Sequence, residues 1–186
     1  MRIIGGRARG LKLAEVGAGD PAAHLRPTSD RVREAIFNLL VNGGYGNPLQ
    51  GARVLDLFAG TGALGLEALS RGATHTTFVE NGKPALALLT RNIALMRAEP
   101  ETTILRRDIR ALGPNPGAPF DLVFLDPPYG KGLGEAALDA ARIGNWLAPQ
   151  ALIVWEEGST PSLPAGFTLE DSRKYGDTLV TIARAP

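Results

Sequence analysis

DLFAGTGALG, residues 56–65, decides the fold because it joins an apolar strand to a helix through a glycine-rich turn. The strand is predicted over Arg53–Phe58. Gly60 and Gly62 let a ligand approach the backbone closely, and Gly65 lets the helix pack tightly against a sheet. The spacing of the three glycines matches a dinucleotide-binding fingerprint, which is weak evidence on its own. The stretch therefore predicts a strand–turn–helix unit that faces a ligand.

Strand and helix patterns alternate on both sides of this unit. The predicted strands are Arg53–Phe58, Thr74–Glu80, Thr102–Leu105, Phe120–Leu125 and Ala151–Trp155, and the predicted helices are Gly62–Arg71, a helix opened by Pro84, and Leu133–Ile143. Phe167–Lys174 and Thr178–Arg184 read as a closing antiparallel hairpin. This alternation predicts an α/β fold with a mostly parallel sheet, helices on both faces and a C-terminal antiparallel hairpin.

The N-terminal region differs from the rest. Residues 1–27 are predicted to form a short hairpin, with its turn at Gly5-Gly6, followed by a loop. Residues 28–186 are predicted to form the main domain, and Ser29 is predicted to cap its first helix. Residues 1–33 carry seven basic and three acidic side chains, although the net charge of the chain is only +1. No acidic segment is long enough to neutralise the basic charge of residues 1–33, which we call the basic arm. The arm is therefore predicted to contact an anionic partner such as nucleic acid.

Composition excludes several classes of protein. The 186 residues suit one domain. The absence of cysteine excludes disulfide scaffolds, zinc–thiolate sites and cysteine nucleophiles, and His24 and His75 offer little for a metal site. No apolar run is long enough to span a membrane, and no signal peptide is evident, so we expect a cytoplasmic protein.

Acidic residues stand at or near the end of every predicted parallel strand. They are Asp56, Glu80, Asp108, Asp126 and Glu156. Because α/β sheets bind ligands at the carboxyl ends of their strands, we expect these acids to share one rim of the site.

Three of these acids suit a nucleoside ligand that carries a cation. The carboxylate of Asp56 favours a cationic amine, such as the methionine part of S-adenosylmethionine, and would repel a pyrophosphate. Glu80 lies 20 residues beyond Gly60, where an acid accepts hydrogen bonds from ribose hydroxyls. Asp108 is placed to accept from an adenine amino group.

Asp126-Pro127-Pro128-Tyr129 is the most specific motif. Two prolines after a buried strand give a stiff loop with few backbone donors. The Asp126 carboxylate and the Pro127 carbonyl can accept hydrogens from an amine on a planar base, while Tyr129 offers a flat face for stacking. The motif therefore predicts a site that methylates an amine on a base.

These motifs resemble those of class I S-adenosylmethionine-dependent methyltransferases that act on amino groups. Three further stretches narrow the resemblance to one family of these enzymes. They are RIIGG at residues 2–6, RPTSDRVRE at residues 26–34 and GALGLEALSRG at residues 62–72. With them, nearly the whole chain resembles the bacterial 16S ribosomal RNA guanine-N2 methyltransferases that act on guanine 966.

The resemblance implies a Rossmann-like fold and places Asp56, Gly60, Gly62, Glu80 and Asp108 around the cofactor. It also implies that three residues of the second motif hold the guanine: Asp126, Pro127 and Tyr129. It implies no metal.

The expected partner is free 16S ribosomal RNA or an assembling 30S subunit. We expect the protein to be a monomer. The expected RNA contacts are Arg2, Arg7, Arg9 and Lys12, with Arg26 and Thr28 nearer the cleft. Three alternatives stay open: an adenine-N6 DNA or RNA methyltransferase, a nucleotide-dependent oxidoreductase and a non-catalytic RNA-binding assembly protein.

Overall fold

The structure, a computed structural model, describes residues 1–15 and 29–186 and is built on a seven-stranded sheet. The strands are β1 (Arg53–Leu57), β2 (His75–Glu80), β3 (Thr102–Arg106), β4 (Phe120–Leu125), β5 (Leu147–Glu157), β6 (Thr168–Tyr175) and β7 (Thr178–Arg184). Their order across the sheet is β3-β2-β1-β4-β5-β7-β6. β1 to β5 run parallel, whereas β7 pairs antiparallel with both β5 and β6. The predicted sheet and its closing antiparallel hairpin are confirmed.

In the part of the chain that the structure describes, four α-helices flank the sheet. They are α1 (Asp30–Asn42), α2 (Ala63–Ser70), α3 (Lys83–Met96) and α4 (Leu133–Ile143). The predicted cap of α1 is confirmed, since the Ser29 hydroxyl accepts a hydrogen bond from Val32 N–H at 3.2 Å. Pro84 lies in the first turn of α3, where its missing N–H costs nothing.

The helices cover both faces of the sheet, as predicted. Apolar residues of α1, α2 and α3 form one core with sheet residues such as Val54 and Phe124. α4 and the short 3₁₀ helix Ile109–Ala111 form the second core with Leu55 and Trp155. The sheet is thus buried between two layers of helix.

Two elements differ from the sequence prediction. β5 begins at Leu147, four residues before the predicted start, because Leu147 pairs with Phe120 across an irregularity in register. The N-terminal hairpin has a single antiparallel bridge, between Arg2 and Lys12, and a 3₁₀ turn over Gly6–Ala8. Within the described residues, no helix combines the length and the apolar character needed to cross a membrane.

Candidate active site at the carboxyl edge of the sheet

The five predicted rim acids lie at one edge of the sheet. Glu80 ends β2, Asp56 and Glu156 lie in the last two residues of β1 and β5, and Asp108 and Asp126 follow β3 and β4. Because β1 to β5 are parallel, their carboxyl ends meet at the same edge. The expected shared rim is confirmed.

Asp56 is a buried acid with an unusual titration. Its side chain accepts a hydrogen bond from Gly65 N–H at 3.0 Å, and the residue is only 2% exposed. Its pKa is raised to about 8, mainly because burial penalises the charged form; the Gly65 hydrogen bond opposes this rise, and the charges of Asp126 and Glu80 add to it. A cation placed beside Asp56 would favour its ionised form, which suits an amine ligand.

The glycine turn between β1 and α2 needs its glycines. Gly60 and Gly62 have positive φ angles of 56° and 80°, a region that favours glycine. A Cβ atom on Gly62 would lie 2.4 Å from Leu89 Cδ1, and one on Gly65 would lie 2.4 Å from Phe78 Cε1. The predicted tight packing of helix against sheet at Gly65 is therefore confirmed.

Glu80 holds this turn in place, a contact that the sequence did not reveal. One of its carboxylate oxygens accepts Gly60 N–H at 2.9 Å. The other accepts Asn81 N–H at 2.9 Å and Gly82 N–H at 2.7 Å. A carboxylate offers about four acceptor positions, so Glu80 retains capacity for a ligand hydroxyl.

A cavity of about 260 Å³ opens beside Glu80. Its polar wall includes Glu80 and Asp108, and its apolar wall includes Phe58, Ile109 and Leu133. Acceptors on one side and apolar surface on the other fit a ribose and a flat base. Its wall also includes Pro128, which brings it next to the Asp-Pro-Pro-Tyr loop.

Asp108 is already engaged at the rim of this cavity. Its carboxylate accepts two hydrogen bonds from the Arg110 guanidinium, at 2.9 and 2.7 Å, and one from Arg110 N–H at 2.8 Å. The Arg110 side chain is the main reason that the pKa of Asp108 is lowered to about 2. Asp108 therefore stays ionised, and a contact with an adenine amino group would share the carboxylate with Arg110.

A larger hollow, of about 440 Å³, lies at the opposite edge of the sheet. Its wall includes Tyr45, Gln50, Asp121 and Arg184, which lie near the amino ends of parallel strands or on the antiparallel β7. Ligands of α/β sheets bind at the carboxyl ends of strands, so we assign the site to the smaller cavity.

The Asp-Pro-Pro-Tyr loop follows β4 at the same edge. Asp126 is partly exposed, Pro127 is buried, and Tyr129 is 39% exposed. The Tyr129 hydroxyl lies 3.2 Å from Thr178 Oγ1 of β7, and the pKa of Tyr129 is raised mainly by burial. Glu157 of β5 accepts a hydrogen bond from Gly130 N–H at 3.0 Å. Sequence reasoning did not identify Glu157 or Thr178, which no local pattern connects to this loop.

Residues 1–15 pack along α2 through a buried acid. The Glu67 carboxylate accepts hydrogen bonds from Ile4 N–H at 2.7 Å and Gly5 N–H at 2.8 Å. A Cβ atom on Gly6, where φ is 74°, would lie 1.8 Å from the Ser70 carbonyl oxygen. Gly6 of RIIGG is thus explained by its close approach to the backbone of α2.

Asn92 joins the same N-terminal segment to the glycine turn. Its side-chain oxygen accepts Ala14 N–H at 2.7 Å, and its nitrogen donates to the carbonyls of Ala14 at 3.0 Å and Thr61 at 2.9 Å. Asn92 is fully buried in α3. One side chain therefore fixes the end of the hairpin relative to the glycine turn.

The basic side chains of the arm are not equivalent. Arg2, Arg7, Arg9 and Lys12 are all exposed, but the Arg7 guanidinium forms a two-point ion pair with Glu101. Arg7 therefore has an acidic partner within the fold, Glu101, which lies 94 residues further along the chain. Two further predicted RNA contacts, Arg26 and Thr28, lie outside the described residues.

This strand order, with a glycine turn after β1 and an acid at the end of β2, defines a class I methyltransferase, and its cofactor is S-adenosylmethionine. The family model described as conserved hypothetical protein 95 matches residues 1–184, and the chain belongs to that family.

Named relatives of the chain agree with this class. It is 37% identical over 179 residues to the ribosomal RNA small subunit methyltransferase D of Escherichia coli strain K12. The matched region covers 95% of this chain and 85% of the relative. It is 38% identical over 181 residues to the protein of the same name from Haemophilus influenzae, covering 95% and 89%. The solved structure of the Escherichia coli protein yhhF is similar, with a TM-score of 0.82 and 34% identity over 100% of this chain and 97% of that one.

Proposed function

We propose that this enzyme methylates the exocyclic N2 amine of a guanine in 16S ribosomal RNA. The observation that carries the proposal is the position of the Asp126-Pro127-Pro128-Tyr129 loop, whose Pro128 lines the cavity that also contains Glu80. Relatives named as small-subunit ribosomal RNA methyltransferases cover 95% of the chain, which supports an RNA substrate.

The proposed cofactor contacts follow from the chemistry of the rim. Asp56 receives the cationic amine of the methionine part, and Gly60 and Gly62 leave room for that part beside the backbone. Glu80 accepts hydrogen bonds from the ribose hydroxyls, and Asp108 lies near the adenine. S-adenosylmethionine supplies, when bound, a methyl group on a sulfonium, whose sulfur leaves as a neutral thioether when the amine takes the methyl.

The proposed target contacts orient an amine. The Asp126 carboxylate and the Pro127 carbonyl accept the two amine hydrogens, so the nitrogen lone pair faces away from them. Tyr129 stacks against the base, as aromatic side chains do with unpaired bases. As the nitrogen becomes acidic, the Asp126 carboxylate or a water molecule can take its proton.

The proposed RNA contacts extend far from the target base. Met1 Sδ lies 3.8 Å from Thr61 Oγ1 at the start of α2, whereas Gly6 contacts Ser70 at its end. Eight residues of helix are about 12 Å long, so Arg9, which follows the turn over Gly6–Ala8, lies well away from the catalytic edge. A substrate that contacts both regions extends at least this far beyond the target base, as 16S RNA or an assembling 30S subunit does.

A methyl-transfer assay tests the proposal. Purified enzyme and labelled S-adenosylmethionine are incubated with unmodified 16S RNA, with 30S subunits and with DNA, and the products are digested to nucleosides. We expect N2-methylguanosine from the ribosomal substrates. N6-methyladenosine would instead support the adenine-N6 alternative.

We further propose that the enzyme is a cytoplasmic monomer, for which a single 19.6 kDa species in sedimentation is the expected result for its size.

A further inference from the structure

Tyr129 is held by residues outside its own loop. Its hydroxyl lies 3.2 Å from Thr178 Oγ1 at the start of β7. Its ring lies over Gly158, where an added Cβ atom would be 3.2 Å from Tyr129 Cδ2. Gly158 follows β5 and Thr178 begins β7, so both contacts come from outside the loop after β4.

One buried carboxylate joins these contacts. Glu157, the last residue of β5, is 7% exposed. Its Oε1 atom accepts Gly130 N–H at 3.0 Å and Gly158 N–H at 2.9 Å. The residue that follows Tyr129 and the residue beneath its ring are therefore tied to the same oxygen atom.

The loop has little means of fixing Tyr129 by itself. Pro127 and Pro128 have no N–H group to donate. After Tyr129, Gly130 and Gly132 have φ angles of 70° and 63°, and Lys131 between them is exposed. Glycine on one side of the aromatic ring permits many backbone conformations, so a contact from elsewhere is needed to select one.

We infer that Glu157 and Thr178 are positioning residues that hold Tyr129 in the orientation in which it receives the target base. The inference rests on the proposed function, in which Tyr129 stacks on the base. Glu157 acts through Gly130 and Gly158, and Thr178 acts through the tyrosine hydroxyl. Glu157 at the end of β5 and Thr178 at the start of β7 thereby determine how well the RNA target is placed, with no direct part in cofactor binding.

The test compares Glu157→Leu, Glu157→Gln and Thr178→Val with a control, Glu170→Leu, which removes an exposed acid from β6. The first readout is ¹⁹F NMR of protein labelled with 3-fluorotyrosine. The chain has three tyrosines, and Tyr129→Phe identifies the resonance of Tyr129. The second readout is the steady-state methylation of 16S RNA or 30S subunits, with cofactor affinity measured by calorimetry.

We expect the Tyr129 resonance to move towards that of free fluorotyrosine in Glu157→Leu and Thr178→Val, and to stay in place in Glu157→Gln and Glu170→Leu. Glu157→Leu lowers kcat/KM for RNA by roughly 10- to 100-fold, as misplacement by about 1 Å can, while cofactor affinity is retained. Glu157→Gln recovers most of the activity, because an amide oxygen can accept the same two hydrogen bonds.

Three results would overturn the inference. An unchanged Tyr129 resonance in Glu157→Leu would show that Glu157 does not hold the ring. Equal losses of cofactor affinity and RNA turnover would indicate general damage to the fold. Wild-type turnover by Tyr129→Ala would show that Tyr129 does not take part in the proposed function. This failure can be told apart from a failure of Glu157 to hold the ring, because the NMR readout needs no RNA.

Discussion

The Glu80 carboxylate accepts a hydrogen bond from the Gly60 backbone N–H at 2.9 Å, and this contact joins the end of β2 to the glycine turn that follows β1. The two residues are 20 positions apart in the sequence and come from neighbouring parallel strands. Glu80 therefore has two tasks in the proposed site: it shapes the turn beside the methionine part of the cofactor, and it offers acceptors to the ribose.

Replacing Glu80 with alanine should weaken cofactor binding by roughly 1–3 kcal/mol, because hydrogen bonds to a charged group are lost and the turn is released. Calorimetric titration with S-adenosylmethionine measures the change. Glu99→Ala is a suitable control, since Glu99 is an exposed acid in the 3₁₀ helix before β3. Unchanged affinity in Glu80→Ala would remove Glu80 from the cofactor site.

Cofactor binding should release a proton from Asp56. With its pKa raised to about 8 by burial in the free enzyme, this carboxyl is mainly protonated at pH 7. The cationic amine of the cofactor favours the ionised form, so affinity should rise with pH up to about pH 8, by at most about tenfold per pH unit. Calorimetry in buffers with different ionisation enthalpies counts the released protons.

Asp56→Asn supplies the control for this proton, since the amide does not titrate. The variant should bind the cofactor more weakly and release no proton near pH 7. If wild type and Asp56→Asn released equal numbers of protons, another group would be responsible.

The raised pKa of Asp56 also affects the stability of the free enzyme. The folded state binds the Asp56 proton more tightly than the unfolded state, whose pKa is near 3.8. Its contribution to the free energy of unfolding is therefore fully present below about pH 4 and declines as the pH rises towards 8. Urea unfolding at pH 6 and pH 8 should show a smaller decline in Asp56→Asn than in wild type; equal declines would argue against the raised pKa.

Asp126→Ala and Tyr129→Ala should reduce turnover and leave cofactor affinity nearly intact. Both side chains contact the target amine or its base in the proposed site. The loss at Asp126 should be on the order of 10²–10³ in kcat, the effect of removing one preorganised electrostatic partner. Single-turnover methylation of 30S subunits measures this step, and a wild-type rate in either variant would contradict the role given to that residue.

Alanine at Arg2, Arg9 and Lys12 together should flatten the salt dependence of RNA binding. Three phosphate contacts correspond to a change of about 2 to 3 in the slope of log affinity against log salt. The matched control removes Arg7 and Glu101 together, which deletes an ion pair without changing the net charge. We expect the control to keep the wild-type slope; equal slopes in the triple variant would mean that the arm does not contact phosphates.

The sheet was predictable because each strand and helix has a local signal. Apolar runs end in acids, Ser29 and Pro84 mark helix starts, and the glycine turn follows β1. The early start of β5 has no such signal, since residues 147–150 are at least partly exposed and include Pro149. Only the register with Phe120 shows that this segment joins the sheet.

The rim acids were predictable for the same reason, whereas the residues that hold the site together were not. Glu67, Asn92 and Glu157 make their decisive contacts with segments 62, 78 and 27 residues away, and no sequence spacing encodes such contacts. Of these three residues, only Glu67 has a recognisable signal in the sequence. It is the one acid within the apolar helix α2, and it lies four residues before Arg71. A lone acid in an apolar helix indicates buried partners, which here are the backbone N–H groups of Ile4 and Gly5 and the guanidinium of Arg71.

The most direct test of the central claim is nucleoside analysis of 16S ribosomal RNA from cells that lack this protein. Mass spectrometry of RNA fragments locates each N2-methylguanosine in the wild type and in the deletion strain. The proposed function predicts that one N2-methylguanosine disappears in the deletion strain, returns with the wild-type protein and does not return with Asp126→Ala. An unchanged set of N2-methylguanosines, or the loss of a methylated adenine instead, would contradict it.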